Sequence, residues 1–128
     1  MANQNKRSAE RYKRQRSGAR AERVAALYLQ LRGYRILERR YKCPVGEIDL
    51  IVRRGGVIGF VEVKYRQTFE AAAWSLSQVQ KQRIGRAAGH WLMGHEGAAD
   101  KSLRFDVMLV VPWQLPRYMT NAFDGVGF

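Results

Sequence analysis

The chain has 128 residues, 46% of them apolar and 27% charged, enough for one domain with its own core and short for two. Mean hydropathy is −0.41, and no apolar run approaches the roughly 20 residues of a membrane helix, which argues against membrane insertion. The 23 Lys and Arg against 11 Asp and Glu leave a net charge of +12, so the expected partner is a polyanion, nucleic acid first and an anionic membrane surface second.

Residues 1–18 read as a flexible basic arm, and residues 19–128 as a single domain. Through Arg20 the chain carries seven cations against Glu10 alone. Such a tail is ordinarily a solvated segment, and it can also add salt-dependent phosphate contacts, with Arg14 and Arg16 as candidates. The segment has neither the apolar h-region of a signal peptide nor the apolar face of a transit presequence, so the expected location is cytoplasmic. The single cysteine, Cys43, excludes an internal disulfide and a cysteine-rich zinc site. His90 and His95, five apart, point in different directions on a helix and read as surface or packing residues.

Val24, Leu27, Tyr28 and Leu31 recur at helical spacing, which predicts a helix over 19–31 with Gly33 as its stop. Tyr34 to Tyr41 reads as a strand. Pro44 and Gly46 mark a turn before an apolar strand, Glu47 to Arg53. Gly55-Gly56 is a hairpin turn, and Val57 to Tyr65 is the returning strand. Ser75-Leu76-Ser77-Gln78 fits a capping box. It opens a long helix whose buried stripe is Leu76, Val79, Ile84, Ala87, Ala88 and Trp91. Leu103 to Val111 is a last strand, stopped at Pro112, and residues 113–128 have no assignment. The order helix, three strands, helix, strand predicts an α/β fold with a mixed sheet flanked by helices.

Acids are scarce, and some lie in apolar surroundings. Asp49 lies within Glu47-Ile48-Asp49-Leu50-Ile51-Val52, and Glu62 and Lys64 within Phe60-Val61-Glu62-Val63-Lys64. Strand alternation puts Glu62 and Lys64 on one face and Val61 and Val63 on the other. The hairpin lets Asp49 and Glu62 approach, and two carboxylates forced together need a proton, a lysine or a metal ion between them. Glu22 shares a helix face with Ala25, Ala26 and Leu29, either as a third acid of such a site or as the partner of an arginine. Asp, Glu and Lys together suit metal-assisted phosphodiester hydrolysis, because carboxylate oxygens are hard ligands for Mg²⁺ or Mn²⁺. The same residues on an exposed strand would form cross-strand ion pairs.

Gly46-Glu47-Ile48-Asp49-Leu50-Ile51 and Phe60-Val61-Glu62-Val63-Lys64 together resemble the YraN-like family of small bacterial proteins. That family is similar in turn to archaeal Holliday junction resolvases and the wider PD-(D/E)xK nucleases. The likeness extends over about Ala19 to Phe123, through Glu22, Lys81-Gln82-Arg83-Ile84, Arg104-Phe105-Asp106-Val107 and Asn121-Ala122-Phe123. It implies a restriction-endonuclease-like core, with Asp49, Glu62 and Glu22 as ligands of Mg²⁺ or Mn²⁺ and Lys64 as the catalytic lysine. Glu47 shares the strand face of Asp49, and Asp106 reads as structural, paired with an arginine. Tyr65 departs from the small hydroxyl residue common after the lysine.

The resulting expectation is a metal-dependent nuclease acting on DNA in preference to RNA, including branched or structured DNA, with a homodimer expected by similarity to resolvases. Lys81, Arg83 and Arg86 on the second helix are candidate phosphate contacts, although each alone also suits a solvated helix face. The alternative is a non-catalytic nucleic-acid-binding module of the same fold. A third reading, an arm docking on lipid or RNA, lacks an apolar helical face in the arm.

Overall fold

The computed structural model describes residues 18–98 and 100–124. Helix α1 covers residues 18–31 and leads into β1 (Arg35–Cys43), β2 (Gly46–Arg54) and β3 (Val57–Tyr65). A 3-10 turn (Ala71–Trp74) precedes α2 (Gln78–Met93), and a second (Glu96–Ala98) precedes β4 (Ser102–Val110) and β5 (Arg117–Met119). The strands stand in chain order in one sheet, antiparallel throughout except for the parallel pair β3–β4. Helix α2 supplies the crossover which that parallel pair requires. This is the α/β fold expected from the sequence, a mixed sheet in the arrangement of a restriction-endonuclease-like core, extended by β5.

The helices pack on opposite faces of the sheet. Ala21, Ala25, Ala26 and Leu29 of α1 meet Leu50, Val52, Val61 and Met108. Ile84, Ala87, Ala88 and Trp91 of α2 meet Ile51, Phe60, Phe105 and Val107 on the other side. The apolar stripe expected on α1 is corrected here: Val24, Leu27 and Leu31 are exposed, and the alanine face is the buried one. Small side chains let the helix axis approach the β-branched sheet closely, which leaves Leu29 no exposed surface. Gly33, at φ +88°, ends α1 in a Schellman turn, with the Tyr34 N–H on the Leu29 carbonyl and the Gly33 N–H on the Gln30 carbonyl.

Helix α2 starts two residues later than the expected box. Ser77 is the N-cap, accepting the Gln80 N–H, while the Gln80 side chain accepts the Ser77 N–H. Val79 therefore faces solvent instead of joining the buried stripe, and Gly85 is buried in it. Gly46 is required where β2 passes under α2, because a Cβ there would lie 2.2 Å from the Arg83 carbonyl oxygen. The two histidines are exposed, each against an aromatic neighbour: His90 Nδ1 meets the Tyr41 hydroxyl, and His95 stacks on Trp91.

Of the segment left without assignment, residues 117–123 close the far edge. Tyr118 and the Asn121 N–H both donate to the fully buried Asp106, which also pairs with Arg104. The Ala122 N–H reaches the Phe105 carbonyl, and Phe123 packs on the Phe105 ring. Among the described residues no helix is long and apolar enough to cross a membrane. Arg14 and Arg16 lie outside the described residues.

Candidate functional site

The acids meet where two strands part. The β2–β3 ladder runs from Arg54↔Val57 to Leu50↔Val61 and stops one step short of Asp49 and Glu62. Upstream of Leu50, β2 stays paired with β1 as far as Cys43↔Gly46, while β3 stays paired with β4 as far as Tyr65↔Val110. The sheet therefore forks at Asp49 and Glu62. A fork leaves ladder groups unpaired, and here the Asp49 carboxylate accepts the Val63 N–H at 2.8 Å. That bond holds the carboxylate inside the fork.

The Asp49 and Glu62 carboxyls are close enough to perturb each other, and both are partly buried. Burial raises the pKa of Asp49, the Val63 N–H opposes the rise, and the charge of Glu22 adds to it. Glu62 is raised further, first by burial and then by the Asp49 charge, with Lys64 opposing. Both shifts favour the protonated form, as expected of two adjacent carboxyls with no cation between them.

Lys64 follows on the same face, 6% exposed, its ammonium donating to the Ser75 carbonyl just ahead of α2. Burial lowers its pKa, the nearby Arg66 lowers it further, and Glu62 opposes both. Glu22 stands at the edge of the group, and its carboxylate takes the Arg40 Nε–H at 2.5 Å. Both alternatives for Glu22 thus have a footing: it is electrostatically coupled to Asp49 and it is paired with an arginine. Glu47 is exposed at the mouth, where a cavity of about 100 Å³ is lined by Glu47, Glu62, Gln80, Arg83 and Ile84. Arg83 is thus beside the acids, whereas Lys81 and Arg86 do not line this cavity.

Sequence reasoning did not single out Arg40 or Gln80. Arg40 is legible only from the β1–β2 register, in which Arg39↔Leu50 and Tyr41↔Ile48 leave Arg40 opposite Asp49. Gln80 becomes visible once Ser77 is known to be the cap.

Among the described residues no three His, Cys, Asp or Glu side chains are set to hold a metal ion unaided. The donor chemistry nevertheless fits a hard divalent cation: two adjacent carboxyls, no sulfur or imidazole, and an opening through which a phosphate oxygen and waters can complete the shell.

The raised carboxyls have a consequence for stability. A carboxyl whose folded pKa lies above its unfolded value favours the folded state at low pH, and that stability is lost as pH rises from the ordinary carboxylate range through the folded pKa, about 9 for Glu62. Without divalent cations, Glu62→Gln is expected to melt about 4–10 °C above the wild type at pH 8, and close to it near pH 4. Thermal melts at the two pH values check this, and equal melting at pH 8 would show that the pair carries no such penalty.

The sequence model of the "Uncharacterised protein family UPF0102" matches residues 21–110, from the buried face of α1 to the end of β4. A UPF0102 protein of Rhodopseudomonas palustris is 50% identical over 109 residues, covering 85% of this chain and 81% of the relative. One from Nitrobacter winogradskyi is 48% identical over 108 residues, covering 84% of this chain and 92% of the relative. A third, from Parvibaculum lavamentivorans, is 50% identical over 108 residues, covering 84% and 81%. The matched segment contains the whole fork and its acids, and on that extent of likeness the chain belongs to the UPF0102 family, the YraN-like family its strand motifs resemble.

Proposed function

We propose that this protein is a divalent-metal-dependent nuclease that hydrolyses phosphodiester bonds in DNA, branched or structured DNA included. The observation that carries this reading is the fork between β2 and β3, where the partly buried Asp49 and Glu62 carboxyls come together with Lys64 two residues beyond Glu62 on the same strand face. Asp49 and Glu62 would hold Mg²⁺ or Mn²⁺, with Glu22 as a third acid once released from Arg40. Such an ion lowers the pKa of a bound water and offsets charge building on the phosphate. Lys64, fixed by the Ser75 carbonyl, orients the attacking water with its remaining N–H groups and charge. Arg83 and Gln80 at the mouth bind the phosphate oxygens of the strand. The excess of positive charge supplies affinity without sequence preference, and Lys81, Arg86, Arg14 and Arg16 belong to that role. A two-fold dimer would bring two such sites to one junction.

The competing reading is a basic nucleic-acid-binding module without turnover, favoured by the Arg40–Glu22 pair and by the lack of a three-acid cage among the described residues. Calorimetric titration with Mn²⁺ separates the two. Binding is expected for the wild type with release of protons from the raised carboxyls, seen as a dependence of the heat on buffer ionisation, and is expected to vanish in Asp49→Asn with Glu62→Gln. Absence of binding by the wild type, with and without DNA, would leave the binding module.

A further inference from the structure

The other end of β2 carries a pocket unlike the acid fork. About 240 Å³ in volume, it is lined by Tyr28 and Arg32 of the α1 end, Tyr34, Arg54, Tyr118 and Thr120. It lies five residues along β2 from Asp49, about 17 Å away at the rise of an extended strand. The guanidinium of Arg32 lies 4.7 Å from the centre of the Tyr28 ring, and that of Arg54 lies 4.4 Å from the centre of the Tyr34 ring.

Both arginines are exposed, and among the described residues neither is paired with a carboxylate, the salt bridges being Arg40–Glu22, Lys101–Asp100 and Arg104–Asp106. Arg54 gives one N–H to the Arg32 carbonyl, which caps α1, and a guanidinium has five N–H groups. Capping therefore accounts for one donor of Arg54 and for none of Arg32.

We propose that this pocket binds one unpaired nucleotide of a nucleic-acid strand, its base stacked on the Tyr28–Arg32 pair and its phosphate held by Arg32 and Arg54. Stacked tyrosine and guanidinium groups are the chemistry that holds single-stranded bases. The pocket contains no acid to repel a phosphate. Its size falls below the roughly 300 Å³ at which clefts begin to enclose a whole small ligand, which suits one residue of an extended strand better than a free nucleotide. The pocket chemistry stands apart from the nuclease reading, whereas the choice of a strand as the source rests partly on it. A strand crossing from this pocket toward the fork would present its paired or branched portion to the acids.

The test is fluorescence anisotropy with a labelled 12-nucleotide thymidine strand, a 12-base-pair duplex, and thymidine monophosphate as competitor. Arg32→Gln with Tyr28→Leu is expected to weaken single-strand binding about tenfold, to change duplex binding less than twofold, and to leave the Mn²⁺ titration unaltered. Tyr28→Phe, which keeps the ring, is expected to bind as the wild type does. Should the double variant fail to fold, Arg32→Gln alone, at an exposed position, is expected to retain the wild-type melt and to lose most of the same affinity. Unchanged single-strand affinity, or an equal loss on the duplex, overturns the proposal. Competition by the monophosphate at concentrations matching the strand overturns the strand as the source. Loss of single-strand binding in a chain that takes up no Mn²⁺ supports the pocket and removes the nuclease.

Discussion

Asp49→Asn and Lys64→Ala are each expected to reduce DNA cleavage by about a thousandfold or more while nucleic-acid binding stays within about threefold of the wild type. A thousandfold corresponds to about 4 kcal/mol of transition-state stabilisation, within what charge stabilisation by a metal and its ligands supplies. The Asn variant is the more informative. Its amide oxygen can still accept the Val63 N–H that holds residue 49 in the fork, so the strands keep their geometry while the formal charge is lost. Lys64→Ala removes a donor to the Ser75 carbonyl as well as the charge near the water, so its melt must accompany its rate. Binding survives in both because most of the positive charge lies outside the fork. The measurement is cleavage of branched and linear DNA with Mn²⁺, beside anisotropy on the same substrates. Cleavage persisting in both variants would remove this active site.

The largest expected effect on stability lies elsewhere. Asp106 has no exposed surface and accepts from the Arg104 guanidinium, the Tyr118 hydroxyl and the Asn121 N–H. Arg104 in turn donates to the Tyr34 and Tyr118 hydroxyls, so one carboxylate ties β4 to β5, to the following turn and to the end of α1. Asp106→Ala leaves a guanidinium with its counter-charge gone and a backbone N–H without its acceptor. Breaking a buried pair in this way costs about 3–5 kcal/mol, a fall in Tm of roughly 10–20 °C for a domain of this size. Metal binding below the new Tm is expected to be unchanged, because Asp106 does not take part in the fork. A Tm shift under about 3 °C would show that the tail is held by Phe123 and the sheet alone.

The sequence marks Asp106 only as an acid inside an apolar strand, and it marks Asp49 and Glu62 in the same way. What separates them is the partner. Asp106 faces an arginine and a tyrosine, whereas Asp49 and Glu62 face each other. Neither arrangement follows from local spacing, because Arg104 is a sequence neighbour of Asp106 while Tyr118 and Asn121 return from a segment with no period of its own.

Local chemistry alone determined the order of the main elements, the limits of β3, the stop at Gly33 and the two-residue hairpin that sets β2 beside β3. Those features depend on alternation, on glycine at positive φ and on hairpin register, all of which act over a few residues. Only the tertiary structure decided between equivalent local solutions. Helix α1 has two apolar faces, and the sheet selected the alanine face because it packs closer, which carried Glu22 to the fork and left Leu31 in solvent. The segment Ser75-Leu76-Ser77-Gln78-Val79-Gln80 contains two overlapping capping boxes, and the second is used while the Ser75 carbonyl receives Lys64. The fork itself, where β2 follows β1 and β3 follows β4, depends on which strand each neighbour pairs with, and pairing over such distances becomes definite only when the whole sheet is assembled.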